Sequence, residues 1–498
     1  MSSAGSSAHS RAASLGGYAR KLSIAPKPNM SVHINNHYQS KVYTTGSEVS
    51  GKVIISPQTD VRFDSIQVVL LGSSKTRIDA VNIPQATSHT FLKLVMPIPE
   101  SSYPVPRIFE AGITYTIPFT FVIPSTLTLN ACNHHVANES VQEHHVRLPP
   151  TLGSWEKDDF APNMSRVQYA VKARVYKEEV ADGMSVKVME AGQDIKVLPA
   201  VPEDAPLNIT KHDDLYTMSK SKNLRKTIIS PKSGKATITA SQPSAAILSP
   251  DGLTISSTTV PLDIEFLPAS SEAHPPKVTG ISSKVTAVTY FSAGGINHYP
   301  NLKDWRRAFG TEGRGSYSGS TSVITGPLGE VKWSRHLTAE ARRDSGYGSD
   351  TLSSTDSDQI SRAAPKTKSK RTLASPIYHT TQIHVPIQLP VRKKTFVPTF
   401  HSCITSRVYV LWLTVTLVSG GTSAHLTLGV PLQVGVSSLG THLDNAEMPP
   451  SFEEVEGEDV DEFLHTRTLS VPRIEFQHGA VLPGYADLDH HRRTLAAH

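Results

Sequence analysis

Residues 407–418, RVYVLWLTVTLV, form the most continuously apolar stretch of the sequence and constrain the fold more than any other feature. The apolar run from Val408 to Val418 is too short for a membrane-spanning helix, which needs about 20 residues. β-Branched and aromatic residues occupy both sets of alternating positions, which is typical of a strand that is buried on both faces. We therefore predict an all-β core protein and not a membrane protein.

Composition narrows the class further. A chain of 498 residues has room for two or three domains, and its 35 prolines disfavour long helices. The net charge of +5 is spread thinly, so we predict no nucleic-acid partner. Two cysteines, Cys132 and Cys403, are too few for a disulfide framework and indicate a reducing compartment. The N-terminal residues lack the apolar core of a signal peptide, so we expect a cytoplasmic protein.

Alternating apolar residues predict several strands in the first part of the chain. The clearest case is 113–123, where isoleucine, tyrosine and phenylalanine alternate with threonine and proline. Pro118 in this segment indicates an edge strand or a bulge. The other predicted strands are 31–34, 48–55, 91–98 and 167–175. Short strands separated by polar loops predict a β-sandwich over residues 31–200.

A proline-rich connection at 196–206 leads to a second series of predicted strands. These strands cover 235–242, 258–266, 285–291, 383–389, 407–418 and 426–436. They predict a second sandwich over 201–438, interrupted by a low-complexity insertion at about 297–370. Part of the front half of the insertion is expected to pack, because it keeps Trp305 and Trp333. We predict disorder for 1–30, for 339–370 and for a C-terminal tail at 439–498.

Four segments resemble strands of the arrestin superfamily. Residues 43–53 and 119–124 are similar to strands of its N-terminal domain, and 396–413 and 430–434 are similar to strands of its C-terminal domain. With a long tail that carries short motifs, the chain resembles the fungal α-arrestins, or arrestin-related trafficking adaptors. The resemblance implies two consecutive immunoglobulin-type β-sandwiches. It also implies a non-enzymatic adaptor that associates peripherally with the plasma membrane or endosomes.

Members of that family bind cytosolic segments of membrane transporters or receptors and recruit a HECT-type ubiquitin ligase. Recruitment uses WW domains, which bind proline-rich tyrosine motifs in an extended conformation. Two tail segments resemble such motifs: Leu482-Pro483-Gly484-Tyr485, and Pro449-Pro450-Ser451-Phe452. The first keeps the tyrosine but has leucine in place of the first proline, and the second has phenylalanine in place of the tyrosine. A chance occurrence of prolines in a polar tail is the alternative.

Four serines lie in sequences that resemble phosphorylation motifs. Ser23 follows two basic residues, and Ser345 and Ser349 form an Asp-Ser-Gly-x-x-Ser pattern that resembles an F-box phosphodegron. Ser470 has arginine three residues before it and proline two residues after it, which resembles a site for 14-3-3 adaptors. Chance occurrence of a short pattern is the alternative for Ser23 and Ser470. An ordinary Ser/Gly linker, which we favour on sequence alone, is the alternative for Ser345 and Ser349.

A group of basic residues is the candidate surface for cargo. It consists of Lys220, Lys222, Arg225 and Lys226. In related adaptors such a patch can meet acidic sorting sequences on the cargo. The alternative is a solvated loop, which we favour on sequence alone.

The segment 131–150, ACNHHVANESVQEHHVRLPP, contains donor atoms that zinc prefers: Cys132, His134, His135, His144 and His145. Neighbouring residues in a loop rarely converge on one ion, so we predict a solvated loop with no metal. No other cofactor is expected either.

Catalytic motifs are missing from the sequence. It contains no nucleophile elbow, no phosphate-binding loop and no His-Glu-x-x-His pattern, so no enzyme is predicted. The main prediction is a ligase adaptor, and the alternative is a signalling scaffold that binds a receptor tail without a ligase. A β-sandwich hydrolase or carbohydrate binder would require polar side chains that converge in a pocket.

Overall fold

The structure is a computed structural model that describes residues 29–79, 84–178, 185–209, 213–227, 229–300, 305, 313–326, 329–337 and 377–438. All of these residues belong to one compact unit. They form the strands of two β-sandwiches and one short α-helix that is described in full. The predicted all-β class is therefore confirmed. Of the segments predicted to be disordered, 339–370, 439–498 and all of 1–30 except its last two residues lie outside the described residues. The N-terminal prediction extends slightly too far, because β1 begins at Met30.

The first sandwich consists of the strands that precede residue 200. They are β1 (Met30–Ile34), β2 (Val42–Tyr43), β3 (Glu48–Ile55), β4 (Val61–Arg62), β5 (Ser65–Ile78), β6 (Gln85–Met96), β7 (Ile108–Phe109), β8 (Tyr115–Val122), β9 (Ser165–Glu178) and β10 (Ser185–Val197). The helix α1 (Glu139–His145) lies between β8 and β9. One sheet has the order β1-β3-β8 and the other β2-β10-β9-β5-β6.

The two sheets of the first sandwich enclose a common apolar core. Val49 and Val53 of β3 face Val68 and Leu70 of β5 in one cluster of buried side chains. Alternation along each strand places these residues on one face, as the sequence pattern requires. The predicted strands overlap β1, β3, β6, β8 and β9, and Pro118 lies on an edge strand as expected, because β8 ends its sheet.

The second sandwich contains the remaining strands. They are β11 (Ser219–Arg225), β12 (Lys232–Ala240), β13 (Ala246–Leu248), β14 (Thr258–Pro268), β15 (Lys277–Ser292), β16 (Arg314–Ser322), β17 (Ile324–Thr325), β18 (Ser334–Leu337), β19 (Ile377–Gln388), β20 (Phe400–His401), β21 (Thr405–Ser419), β22 (Thr422–Leu432) and β23 (Val434–Val436). One sheet has the order β11-β12-β14-β19-β17, with β18 also paired to β19, and the other has the order β16-β15-β21-β20, with β22 paired to β21.

Strand β21 contains the apolar run from which the all-β prediction started. It pairs with β15 on one side and β22 on the other, so it is a central strand. Every residue from Thr405 to Leu411 is buried, whereas burial alternates from Trp412 onward. Burial on both faces is therefore confirmed for the first half of the strand only. On the outer face, Val408 and Val410 pack with Leu215 and Trp305, whereas the even-numbered positions from 412 to 418 are only partly buried.

Part of the front half of the predicted insertion packs, as expected, because Trp305 is buried and Trp333 packs against the core of the second sandwich, so the low-complexity part starts later than residue 297. Residues 314–322 and 334–337, inside the proposed 297–370, form β16 and β18 and pair with β15 and β19. Strand β16, RGSYSGSTS, has few apolar residues because close packing replaces them with glycine. A Cβ on Gly315 would lie 2.5 Å from the Phe291 ring, and one on Gly319 would lie 2.8 Å from the Phe160 ring. Small residues in this strand therefore reflect steric need and not low complexity.

Candidate functional site

Most sequence-predicted site residues lie outside the described part of the chain. Both WW-type motifs, at 449–452 and 482–485, are among them, as are the candidate phosphosites Ser23, Ser345, Ser349 and Ser470. These assignments stay predictions. The basic group and the histidine-rich segment are described, and they can be compared with the sequence analysis.

The basic residues belong to a strand, so the favoured interpretation as a loop is wrong for most of them. Lys220, Lys222 and Arg225 lie in β11, an edge strand that pairs with β12, and Lys226 follows it. All four side chains are exposed. The strand was missed because its sequence, SKSKNLR, contains one apolar residue and so carries no periodic hydrophobic signal.

Two of the four cations can be assigned to a face of the sheet. Lys220 and Lys222 lie opposite Ile238 and Ala236, which point into the core, so both lysines are on the core side of an edge strand. A β-bulge separates Leu224 from Arg225, so the alternation along β11 does not extend to Arg225. Inward-pointing charges on an edge strand also prevent the sheet from pairing with strands of other chains. This protection would explain the two lysines without any role in binding.

The histidine-rich segment is not a simple loop, which corrects the sequence prediction. It contains α1, whose first turn is capped by the Asn138 side chain, which accepts a hydrogen bond from the Val141 backbone N–H at 3.0 Å. Asparagine followed by Glu139 is a recognised signal for a helix start and was present in the sequence. The helix places His145 at its last position, where the side chain is buried.

Four donor side chains converge beside this helix. One ligand-type atom from each of Cys132, His134, His145 and Cys403 lies within 4.8 Å of the others. Cys403 comes from the turn between β20 and β21, in the second sandwich. The predicted solvated loop is wrong for Cys132 and His145, which are 7% and 2% exposed. No local pattern could have revealed the fourth residue, because it lies far along the chain and only the fold brings it close.

The other two histidines of the segment are not part of this group of donors. His135 is exposed. His144 contacts Asp204 through Nε2 at 3.4 Å and the Tyr299 hydroxyl through Nδ1 at 2.8 Å. Arg147 also donates to Asp204, at 2.7 Å. Burial alone would raise the pKa of Asp204, but hydrogen bonds from His144 and Arg147 lower it to about 2.

A buried arginine, Arg407, connects the two sandwiches at the start of β21. Its side chain is fully buried, and its Nε donates to the Thr289 hydroxyl at 2.8 Å within the second sandwich. Its Nη1 and Nη2 donate to the backbone carbonyls of Asp159 and Phe160, at 2.9 and 3.1 Å, in the first. A planar guanidinium suits this task because its donors point in fixed directions.

The loop that accepts these hydrogen bonds is shaped by its own aspartates. The Asp158 carboxylate accepts from the Phe160 N–H at 2.8 Å, and Asp159 accepts from Gly153 and Ala161. Phe160 has φ of 57°, which is rare for a bulky residue and stores backbone strain. The hydrogen bonds from the aspartates and from Arg407 therefore hold the loop in a conformation that it would not adopt alone.

Near Arg407 and the 158–161 loop, each sandwich also contributes apolar side chains to the core of the other. The Phe160 ring, from the first sandwich, belongs to the buried cluster of the second and lies 5.6 Å from the Phe396 ring. Val397 and Phe400, from the second half of the chain, belong to the buried cluster of the first. We call the region formed by this exchange, the Arg407 hydrogen bonds and the four donor residues the junction.

A polar cleft in the first sandwich is the place to look for a hydrolase or carbohydrate site. It is lined by Tyr38, Trp155, Glu156 and Lys196, among others. Its polar groups are engaged with each other: Lys196 Nζ donates to Glu156 at 3.3 Å, and Trp155 Nε1 donates to the Thr151 carbonyl. Within the described residues the cleft therefore gives no support to convergent catalytic chemistry.

No protein-family model matches this chain, and no curated protein matches it. Among the residues that the structure describes, no helix combines the length and the apolar character needed to cross a lipid bilayer.

Proposed function

We propose that the chain is a non-enzymatic, arrestin-like adaptor that links plasma-membrane transporters or receptors to a HECT-type ubiquitin ligase. The observation that supports this best is the junction, which holds two β-sandwiches together as one compact unit. A rigid double platform can present a bound cargo segment in a fixed orientation. The 439–498 tail would then supply the ligase motif.

In this proposal the platform and the tail have different tasks. Exposed cations of β11, including Lys220 and Lys222, attract acidic cytosolic segments of the cargo. Leu482-Pro483-Gly484-Tyr485 binds a WW domain of the ligase, with Pro449-Pro450 and Phe452 as a weaker second site. The adaptor acts in the cytoplasm and reaches the plasma membrane or endosomes through its cargo. Phosphorylated Ser470 would bind a 14-3-3 adaptor.

The recruitment step is tested by binding of the full-length chain to a purified WW domain of a HECT ligase. We expect Tyr485→Ala to abolish binding, because it removes the side chain that fills the aromatic groove. Phe452→Ala is the matched control, since it makes an equivalent change in the second motif, and we expect it to reduce binding by less than half. Equal binding by wild type and Tyr485→Ala would contradict the proposal.

A second candidate is a signalling scaffold that binds a receptor tail without a ligase. The specific observation that favours it is that neither motif is a complete Pro-Pro-x-Tyr sequence. Deletion of 439–498 separates the two functions in cells. A ligase adaptor would lose cargo turnover but keep cargo association, whereas a scaffold would keep both cargo association and the signalling phenotype.

A further inference from the structure

The four donor residues at the junction have the composition and spacing of a tetrahedral metal site. The Cys132 Sγ and His145 Nδ1 atoms lie 3.5 Å apart. Zn–S bonds of about 2.3 Å and Zn–N bonds of about 2.0 Å predict a sulfur–nitrogen edge of about 3.5 Å in a tetrahedron. The other donor atoms fall within 4.8 Å, close enough to reach the same ion after small side-chain rotations.

His134 provides an independent sign of a ligand-binding position. Its Nδ1 lies 3.1 Å from the His135 carbonyl oxygen, which fixes the tautomer that donates from Nδ1 and leaves a lone pair on Nε2. Nε2 is buried and has no hydrogen-bond partner among the described residues. An unsatisfied buried polar atom is costly, and a metal ion at this point would satisfy it.

The second sandwich presses against the His134 ring and holds it in place. A Cβ on Gly295 would lie 2.6 Å from the ring, so only glycine permits this approach. The Ala137 N–H donates to the Asn297 carbonyl at 2.7 Å from the same side. The ring is therefore positioned by both halves of the molecule and not by its own loop alone.

The side chains that converge here are chemically suited to a divalent metal. Two thiols and two imidazoles are the donors that zinc prefers, and binding of the ion would displace the two thiol protons.

We propose that Cys132, His134, His145 and Cys403 bind one zinc ion that links the two sandwiches. Two thiolates and two imidazoles fill the four positions of zinc, which is typical of a structural site and leaves no position for a substrate. Three ligands come from the first sandwich and one from the second, so the ion would link the two sandwiches at the junction. This proposal is independent of the adaptor function.

Metal content is the first test. The full-length chain is expressed with zinc, separated from loosely bound metal by gel filtration and analysed by mass spectrometry for zinc. We expect one zinc per chain in the wild type and in His135→Gln, and loss of most of the zinc in His134→Gln and Cys403→Ala. His135 is the matched control, because it is the adjacent histidine and its side chain is exposed. Equal zinc in His134→Gln and His135→Gln would overturn the assignment.

Measurements on the wild type keep the proposal testable if the ligand variants do not fold. Cobalt added to the metal-free chain should give the visible absorption bands of a tetrahedral thiolate site. Removal of zinc by a chelator should lower Tm by about 5 °C or more, and added zinc should restore it. Both thiols should resist alkylation until the chelator is added.

Three results would overturn the proposal. These are a wild-type chain without zinc, a Tm that a chelator does not change, and a disulfide between Cys132 and Cys403, seen as the absence of free thiols in the unreduced, denatured chain. The disulfide would be a different link at the same place, and thiol counting separates it from bound zinc. A WW-binding failure would leave all of these measurements unaffected.

Discussion

The junction and the edge strand β11 differ in burial and in the contacts that stabilise them. At the junction, Arg407 is fully buried and connects backbone groups of one sandwich with a side chain of the other. Strand β11 has one paired neighbour in its sheet, and its lysines are exposed. The junction depends on residues that are distant in sequence, whereas β11 depends on a neighbouring hairpin partner.

The difference indicates where stability and binding specificity are located. A junction residue cannot change without leaving an unpaired buried group or a cavity in one of the two cores. The exposed residues of β11 can change with little loss of stability, because solvent already surrounds their side chains. We therefore expect substitutions at the junction to alter unfolding, and substitutions on β11 to alter binding.

Replacement of Arg407 should cause the largest loss in the free energy of unfolding. Arg407→Ala leaves the carbonyls of Asp159 and Phe160 without their donor and opens a cavity, so we expect a loss of about 4 kcal/mol in the free energy of unfolding. Urea unfolding followed by tryptophan fluorescence measures this loss. Arg392→Ala is the control, because Arg392 is exposed. A loss below about 1 kcal/mol for Arg407→Ala would contradict a central role of this residue in the junction.

Truncation of Phe160 should have the next largest effect. Phe160→Ala removes a ring from the core of the second sandwich while keeping a residue in the strained backbone position, so we expect a loss of about 3 kcal/mol. Tyr317→Ala is the control, because that side chain is 45% exposed. The same urea experiment compares the two variants, and equal losses would mean that the exchange of side chains contributes little.

The fold could be predicted from the sequence wherever one strand face is apolar. Strands β3 and β8 alternate cleanly, and their predicted bounds were nearly those observed. Strands β11 and β16 were missed, because an exposed edge and close packing against aromatic rings both remove apolar residues from the pattern. Periodicity reports which residues face a core, and it is silent where glycine, serine or lysine takes that position.

The site was harder to predict than the fold, because its residues come from separate segments. The sequence identified Cys132, His134 and His145 as possible ligands but gave no reason to join Cys403 to them. It also treated residue 407 as the beginning of an apolar run, although Arg407 is the polar link between the sandwiches. Contacts between distant segments follow from tertiary packing, which no local pattern encodes.

Asp204 lies at the rim of the junction. Its substitution should have an intermediate effect on the free energy of unfolding. Hydrogen bonds from His144 and Arg147 stabilise its carboxylate and lower its pKa to about 2, from an ordinary value of 3.8. We expect Asp204→Asn to cost on the order of 1 kcal/mol at pH 7, because the site is partly solvated. The folded pKa is depressed, so this contribution is present above pH 3.8 and is lost as the pH falls towards 2.

Urea unfolding at several pH values tests this expectation for Asp204. The difference between wild type and Asp204→Asn should shrink as the pH falls from 5 to about 2, because the wild-type carboxylate then becomes protonated in both states. The exposed Asp214 provides the control variant Asp214→Asn, which should differ little from the wild type at any pH. A difference that does not depend on pH would mean that the carboxylate contributes through packing and not through its charge.

Charge reversal on β11 should have the smallest effect on stability and a clear effect on binding. We expect Lys220→Glu with Lys222→Glu to change the free energy of unfolding by less than about 0.5 kcal/mol. The same double variant should weaken binding of an acidic peptide roughly tenfold at low salt, and the difference should fade as salt screens the charges. Fluorescence anisotropy of a labelled, glutamate-rich peptide measures both the affinity and its salt dependence.

Two further double variants test which basic residues bind the acidic peptide. Lys52→Glu with Lys93→Glu makes the same change in charge on exposed strands of the first sandwich and should leave peptide binding nearly unchanged. Arg225→Glu with Lys226→Glu reverses the other pair of the basic group, at the C-terminal end of β11. If both pairs weaken binding equally, the acidic segment contacts the whole basic group. If neither does, the lysines serve only to keep an exposed edge from pairing, and the cargo surface lies elsewhere.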